Sequence, residues 1–138
     1  FEEMIVLASI IEKETGQAGE RHLISAVFHN RLKRGMRLQS DPTVIYAVSG
    51  ETGLNRPISR SDLATDSPFN TYRKFGLPPQ PICLPGRAAM EAAVQPDPVP
   101  YLYFVANGLG GHRFAVTLAE HNQNVASYRK FQAQQKKR

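Results

Sequence analysis

The sequence predicts an α+β fold that is mostly helical with one small β-hairpin. Apolar residues recur at helical spacing in several segments separated by Gly and Pro, whereas residues 101–105, rich in aromatic and β-branched side chains, are the best candidate for a strand. The chain has 138 residues, of which 41% are hydrophobic and 21% are charged, as is usual for one globular domain. We therefore expect residues 1–138 to form a single domain.

The first two predicted helices follow from apolar periodicity. One covers residues 4–15, and Gly16 is expected to end it in the left-handed conformation that suits glycine. The second covers residues 21–33, with its apolar positions on one face, and ends at Gly35. An amphipathic pattern that begins so close to residue 1 suggests a fragment of a longer protein.

Two dipeptides predict the starts of the next helices. Asp41-Pro42 and Ser67-Pro68 each combine a side chain that favours the N-cap with proline at the first helical position. The helices that they begin are expected to stop at Gly50 and Gly76. Asp41 is thus interpreted as a helix cap.

The rest of the chain, from residue 77 onward, is predicted to contain the hairpin and two helices. A proline-rich loop, residues 77–86, precedes an alanine-rich helix at 87–94. The strand at 101–105 is followed by a glycine-rich turn and a return strand at 112–117. Thr117 and Glu120 have the spacing of a capping box for the last helix.

Charge and cysteine content narrow the possible partners. The net charge of +5 favours acidic partners, but no basic stripe is interleaved with aromatic residues, so no nucleic-acid partner is predicted. A single cysteine, Cys83, excludes an internal disulfide and a cysteine metal cluster. The four histidines lack a metal-ligand spacing such as HExxH, so no metal and no cofactor are predicted.

Two carboxylates at the end of the first helix are the strongest candidates for chemistry. On a helical projection Glu14 falls beside Leu7 and Ile11, while Glu12 falls near Ile5 and Ala8. A carboxylate against apolar neighbours has its pKa raised toward that of a useful general acid. The alternative is that both are boundary residues in salt bridges, and the periodicity does not choose between the two glutamates.

Several segments closely resemble the endolytic murein transglycosylase (MltG/YceG-like) family. The first blocks are LASIIEKET at 7–15, FHNRL at 28–32 and GMRLQSDPTVIY at 35–46. Later blocks are NTY at 70–72, GLPP at 76–79, YLYFV at 101–105, GGH at 110–112 and AEHN at 119–122. The resemblance covers nearly the whole chain in the right order, and it implies a mostly helical domain similar to lysozymes and lytic transglycosylases.

The resemblance also implies roles for individual residues. The family's catalytic glutamate matches the second Glu of the EKET segment, Glu14, which would act first as acid and then as base. Residues 36–39 are similar to a Gly-Leu-Met-Gln segment that lines the cleft of other lytic transglycosylases, and 69–71 weakly resemble a Tyr-Asn-Ala segment. Gln39, Asn70 and the adjacent Tyr72 are the candidates to bind the acetamido and hydroxyl groups of a sugar. Their alternative roles are structural.

The activity implied by the resemblance is cleavage of the bond between N-acetylmuramic acid and N-acetylglucosamine in peptidoglycan, which leaves 1,6-anhydro ends and limits glycan strand length. The implied parent protein is anchored in the bacterial inner membrane by an N-terminal helix outside this chain, faces the periplasm, and has cell-wall synthases as partners. Two alternatives stay open: a muramidase-type hydrolase that uses Glu14 with Asp41 or Asp62, and a non-catalytic glycan-binding module.

Overall fold

The computed structural model describes residues 1–137 and confirms the α+β prediction of a mostly helical fold with a small hairpin. The helices are α1 (Glu2–Glu14), α2 (Arg21–Lys33), α3 (Asp41–Ser49), α4 (Arg60–Leu63), α5 (Arg87–Val94) and α6 (Leu118–Lys136). The strands are β1 (Tyr103–Ala106) and β2 (His112–Ala115), which pair antiparallel with Phe104 opposite Phe114. Short 3₁₀ turns at Ala18–Glu20 and Gly50–Thr52 complete the secondary structure of the described residues.

Helix α1 lies at the centre of the core. Six consecutive residues, from Val6 to Ile11, are buried, so this helix is covered on nearly every side. Three alanines of α5 are fully buried against the same core, and their small side chains allow the two helices to approach closely. Because α1 is packed on nearly every side, its last residue, Glu14, is held in a fixed position at the edge of the core.

The hairpin and α6 close one side of this core. Phe28 of α2 makes an edge-on contact with Phe104 of β1, with ring centroids 5.8 Å apart. Tyr103 of β1 stacks on His121 of α6 at 5.0 Å. No residue of α6 is fully buried, so this helix covers the hairpin without entering the core.

Two predicted local structures are wrong. No helix forms after Ser67, because two side chains of that segment bind nearby backbone amides: Ser67 Oγ accepts from Phe69 N, and Asn70 Oδ1 accepts from Tyr72 N. Nor does Gly16 end α1 in the left-handed region, since the extended backbone of Thr15 already ends the helix. The α4 helix was not predicted, although Ser59 and Asp62 form a capping box at its start.

The end of α2 and the start of α6 lie where the sequence predicts them. Gly35 has φ of +68° directly after the C-cap of α2, where a side chain would be strained. Thr117 caps α6 by accepting a hydrogen bond from Glu120 N at 3.2 Å. The Glu120 carboxylate returns to Val116 N rather than to Thr117 N, so the predicted capping box is only half formed.

Candidate active site

The carboxylate of Glu14 lies in the wall of a cavity of about 420 Å³. Segments that are far apart in the sequence form this wall: the ends of α1 and α2, the loop before α3 with the start of that helix, the turn that contains Tyr72, the hairpin and α6. The lining residues are Glu14, Arg31, Leu38, Gln39, Asp41, Tyr72, Phe104, Val105, Ala106, His112, His121 and Tyr128. Glu14 is thus the glutamate of the α1 terminus that a bound molecule can reach.

Burial raises the pKa of Glu14 to about 7. A hydrogen bond from Ser40 Oγ to Glu14 Oε2, 2.9 Å long, opposes this rise because it stabilises the carboxylate. The negative charge of Asp41 acts in the same direction as burial, and the pKa of about 7 is the net result of all three effects. Near neutral pH a substantial fraction of Glu14 is therefore protonated, as a general acid requires.

Ser40 is held under Glu14 by a buried network of hydroxyl groups. Its backbone amide donates to Thr71 Oγ1 at 2.9 Å, and its carbonyl accepts from Thr43 Oγ1 at 2.6 Å. The hydroxyls of Thr43 and Thr71 lie 2.7 Å apart. All three residues are buried, so the network fixes the position of the Ser40 hydroxyl.

Glu12 lies on a different face of α1 and outside the cavity wall. Its Oε1 accepts a hydrogen bond from the backbone amide of Gly86 at 2.7 Å, just before α5. A Cβ at position 86 would lie 2.9 Å from that oxygen, so glycine permits the close approach. Glu12 therefore joins two helices, and the ambiguity between the two glutamates is resolved in favour of Glu14 as the cavity residue.

Two of the three predicted sugar-binding residues line the cavity. Gln39 has φ of +51°, an uncommon conformation for a residue other than glycine, and its side-chain oxygen lies 3.4 Å from Arg31 Nη1. The Tyr72 hydroxyl donates to Asp41 Oδ1 at 2.6 Å. Burial, together with this bond, raises the pKa of Tyr72 above its usual value, so the hydroxyl stays protonated.

The position of Asn70 does not support the predicted contact with substrate. The residue is fully buried, and it does not line the cavity. Its Nδ2 donates to the carbonyls of Leu63 and Thr65, both at 2.9 Å, and its Oδ1 accepts from Tyr72 N. Asn70 therefore shapes the turn that presents Tyr72.

The interpretation of Asp41 as a helix cap is wrong. Ser40 occupies the N-cap position, and Asp41 is the first residue of α3. The Asp41 carboxylate instead lines the cavity and binds the Tyr72 hydroxyl. Asp62, the other carboxylate considered for a hydrolase, is away from this cavity, where Arg56 and Ser59 N bind it.

Sequence reasoning also missed several cavity residues. Arg31 is nearly buried, donates to Leu102 O at 2.6 Å and lies over the Tyr103 ring, so its charge is fixed in the wall. His112 and His121 belong to the GGH and AEHN segments, but the spacing of the histidines predicts only that they are not metal ligands and says nothing of a cavity. Their presence in segments that resemble the family was the one indication that they could belong to the site.

Residues 1–137 contain no cluster of three or more His, Cys, Asp or Glu side chains that is placed to hold a metal ion. In the same part of the chain, no helix combines the length and the apolar content needed to cross a membrane.

Comparisons with known proteins agree on one family. The model of the YceG-like family matches residues 1–127. A Bacillus subtilis protein named endolytic murein transglycosylase is 44% identical over 125 residues, which cover 91% of this chain and 34% of that protein. A Streptococcus pneumoniae protein of the same name is 37% identical over 130 residues and is covered to 23%. The chain thus spans about a third or less of these relatives.

The fold agrees as well. The crystal structure of a YceG-like protein from Listeria monocytogenes superposes with a TM-score of 0.80 at 45% sequence identity. The match covers 88% of this chain and 38% of that one.

Proposed function

This chain belongs to the YceG-like family, and we propose that it is the catalytic part of an endolytic peptidoglycan lytic transglycosylase. The proposed reaction cleaves the bond from N-acetylmuramic acid to N-acetylglucosamine within glycan strands and leaves 1,6-anhydro ends. The observation that carries the proposal is Glu14, a partly buried carboxyl group with a pKa of about 7 in the wall of an open cavity. The names of the relatives supply the substrate class.

One carboxyl group is sufficient for this chemistry. Protonated Glu14 donates its proton to the oxygen that links the two sugars, and the bond from C1 of the muramic sugar to that oxygen breaks. The carboxylate then takes the proton from the 6-hydroxyl of the same sugar, and O6 forms a bond to C1. Glu14 ends protonated again, and no water is consumed. Its pKa near 7 suits both steps, since neither protonation state is strongly disfavoured.

The surrounding residues fit a sugar ligand. Gln39, Tyr72 and Arg31 place polar groups around Glu14, and Phe104 adds an apolar ring to the same wall. A mixture of a few directed polar groups and apolar surface is typical of sites that bind and orient a small ligand. We propose that Gln39 and Tyr72 contact the acetamido or hydroxyl groups of the muramic sugar.

The sugar end that the enzyme leaves is the decisive test. Purified peptidoglycan is digested, and the fragments are measured by mass spectrometry before and after borohydride treatment. We expect muramic ends that are lighter by one water than hydrolytic ends and resistant to reduction. Long fragments should appear early, because internal cleavage is proposed. Reducible muramic ends as the main product would contradict the proposal, and glycan binding without cleavage would favour a binding module.

A muramidase-type hydrolase is the second candidate, because Asp41 lines the cavity and is not a helix cap. Its carboxylate could activate a water molecule opposite Glu14, as the second carboxylate of inverting glycosidases does. The variant Asp41→Asn distinguishes the two reactions. In the transglycosylase it should still give anhydro ends, since Asp41 takes no proton there. In the hydrolase it should abolish cleavage.

We further propose that the parent protein acts at the periplasmic face of the inner membrane, limits glycan strand length and works beside cell-wall synthases. The substrate class supports this placement, since peptidoglycan is assembled on that side of the membrane. Fractionation of cells that produce the full-length parent tests it, and recovery in the cytoplasm would contradict it.

A further inference from the structure

His112, at the start of β2, lies in the cavity wall and is held by a single carboxylate. Its Nδ1 lies 2.8 Å from Glu20 Oε1, and its backbone amide donates to Glu20 Oε2 at 2.9 Å. Both side chains are mostly buried, with 13% of His112 and 19% of Glu20 exposed. The imidazole is therefore fixed in position and orientation before any ligand binds.

The segment before α2 is built to reach this hairpin. A Cβ at Gly111 would lie 2.8 Å from Glu20 Oε2, so glycine is needed directly before His112 for the carboxylate to approach. Gln17 makes a second tether, since its Nε2 donates to Gly110 O at 2.8 Å. Of the two tethers, only that of Glu20 involves the imidazole ring.

The Glu20 contact determines which ring nitrogen is available. An ionised carboxylate can only accept, so a neutral His112 carries its proton on Nδ1 and leaves a lone pair on Nε2. Nε2 makes no hydrogen bond to any of residues 1–137, and it is not sealed from solvent. Phe104, which also lines the cavity, packs edge-on against the ring at 5.4 Å.

We propose that His112 is a substrate-binding residue whose Nε2 accepts a hydrogen bond from the acetamido N–H of a bound sugar, and that Glu20 is the positioning residue that sets this tautomer. An acetamido group carries an N–H beside a methyl group, which matches an acceptor nitrogen beside the Phe104 ring. The inference rests on the proposed function for the identity of the ligand.

The variant Glu20→Gln reverses the tautomer with little change in shape. The amide oxygen can keep the bond from the His112 backbone, and the NH₂ group then faces Nδ1 and forces the ring proton onto Nε2. The Nε2–H of His112 would then face the acetamido N–H, and two donors cannot form a hydrogen bond. In a Glu14→Gln background, in which cleavage is strongly slowed, we expect the Kd for peptide-free glycan strands to rise about tenfold with a nearly unchanged Tm. ¹⁵N NMR of the His112 ring should report the reversed tautomer.

Gln17→Ala is the matched control, because it removes the other tether of the same turn and leaves the ring untouched. Its Kd should stay near that of the background protein. An equal rise in both variants would overturn the proposal, since loosening of the hairpin would then explain it. An unchanged Kd in Glu20→Gln with the tautomer reversed would overturn it as well. If Glu20→Gln does not fold, His112→Phe, which keeps the ring packing, should raise the Kd similarly, and an unchanged value would reject the contact.

De-N-acetylated strands identify the group that is bound. We expect removal of the acetyl groups to weaken binding to the background protein far more than binding to the Glu20→Gln variant. An equal loss in both would exclude the acetamido group as the partner. These Kd values test the contact of His112 with the sugar and do not depend on whether the enzyme is a transglycosylase or a hydrolase. The sugar ends of the products test the reaction and do not depend on that contact. Each proposal can therefore be contradicted without the other.

Discussion

Glu12 and Glu14 are two residues apart in the last turn of one helix, yet their surroundings differ. Glu12 accepts a hydrogen bond from a backbone amide beside α5. Glu14 points to the opposite side, where its neighbours are a serine hydroxyl, the cavity wall and a second carboxylate. A separation of two residues turns the side chain by roughly 200°, so each glutamate belongs to a different region of the molecule.

The surroundings of Glu12 suit a structural role, whereas those of Glu14 suit a role in catalysis. Glu12 has a backbone donor to stabilise its charge, and it links α1 to the start of α5. Within residues 1–137, no cationic side chain donates a hydrogen bond to Glu14, and the burial of its carboxyl group opposes ionisation. A partly buried carboxyl group with a raised pKa in a cavity wall is more often found at a site of chemistry than at a site that stabilises the fold.

The largest expected difference between the two glutamates is in activity. Glu14→Gln keeps the shape and removes the transferable proton, so we expect peptidoglycan cleavage to fall by roughly 10²–10⁴-fold. Glu12→Gln should keep most activity, because the amide oxygen can still accept from Gly86 N. Initial rates of release of soluble fragments measure both, with circular dichroism as the check on folding. An inactive Glu12 variant beside an active Glu14 variant would reverse the assignment.

The next difference is in stability and depends on pH. The pKa of Glu14 is about 7 in the folded state against a usual value of 4.5, so the folded state retains a proton that the unfolded state loses. The free energy of unfolding therefore falls as pH rises from about 4.5 to 7. Above pH 7 the full cost of ionising Glu14 in the folded state has been reached. Glu14→Gln removes this cost, and we expect it to raise the free energy of unfolding at pH 8 by about 1–3 kcal/mol.

Urea unfolding at pH 4.5 and pH 8 measures this effect. The gain of Glu14→Gln over the wild type should be present at pH 8 and nearly absent at pH 4.5. Glu12→Gln is the control, with an expected change of about 0.5 kcal/mol or less at either pH. A gain for Glu14→Gln of equal size at both pH values would show that the ionisation of Glu14 is not its cause.

The sequence was sufficient to predict features that depend on local patterns. The helical periodicity of α1 and α2, Gly35 at the end of α2 and the aromatic strand all depend on residues close together in the chain. The placement of both glutamates at the border of the buried arc also followed from one helical projection. The projection did not show which of the two faces the cavity, because their hydrogen-bond partners, Gly86 for Glu12 and Ser40 for Glu14, lie 74 and 26 residues away in sequence.

The errors share one physical cause: polar side chains found partners that sequence spacing does not reveal. The Asp41 carboxylate binds the Tyr72 hydroxyl, 31 residues away, instead of capping its helix. Asn70 binds backbone groups on both sides of its turn, so it is buried instead of facing a ligand. The role of a short polar side chain is determined by the tertiary structure around it.

The smallest expected effects concern the two neighbours that tune Glu14. Kcat/KM should be lost as pH rises through the pKa of Glu14, about 7, because the acid must be protonated to react. Ser40→Ala removes a bond that favours the carboxylate, so this limb should move to higher pH. The Ser40 side chain makes no capping bond, which keeps the change confined to Glu14.

Asp41→Asn removes a nearby negative charge, so the same limb should move to lower pH. The pair is its own control, since general damage to the site would lower the rate without moving the limb in opposite directions. Two shifts of the same sign would mean that a group other than Glu14 governs the pH profile.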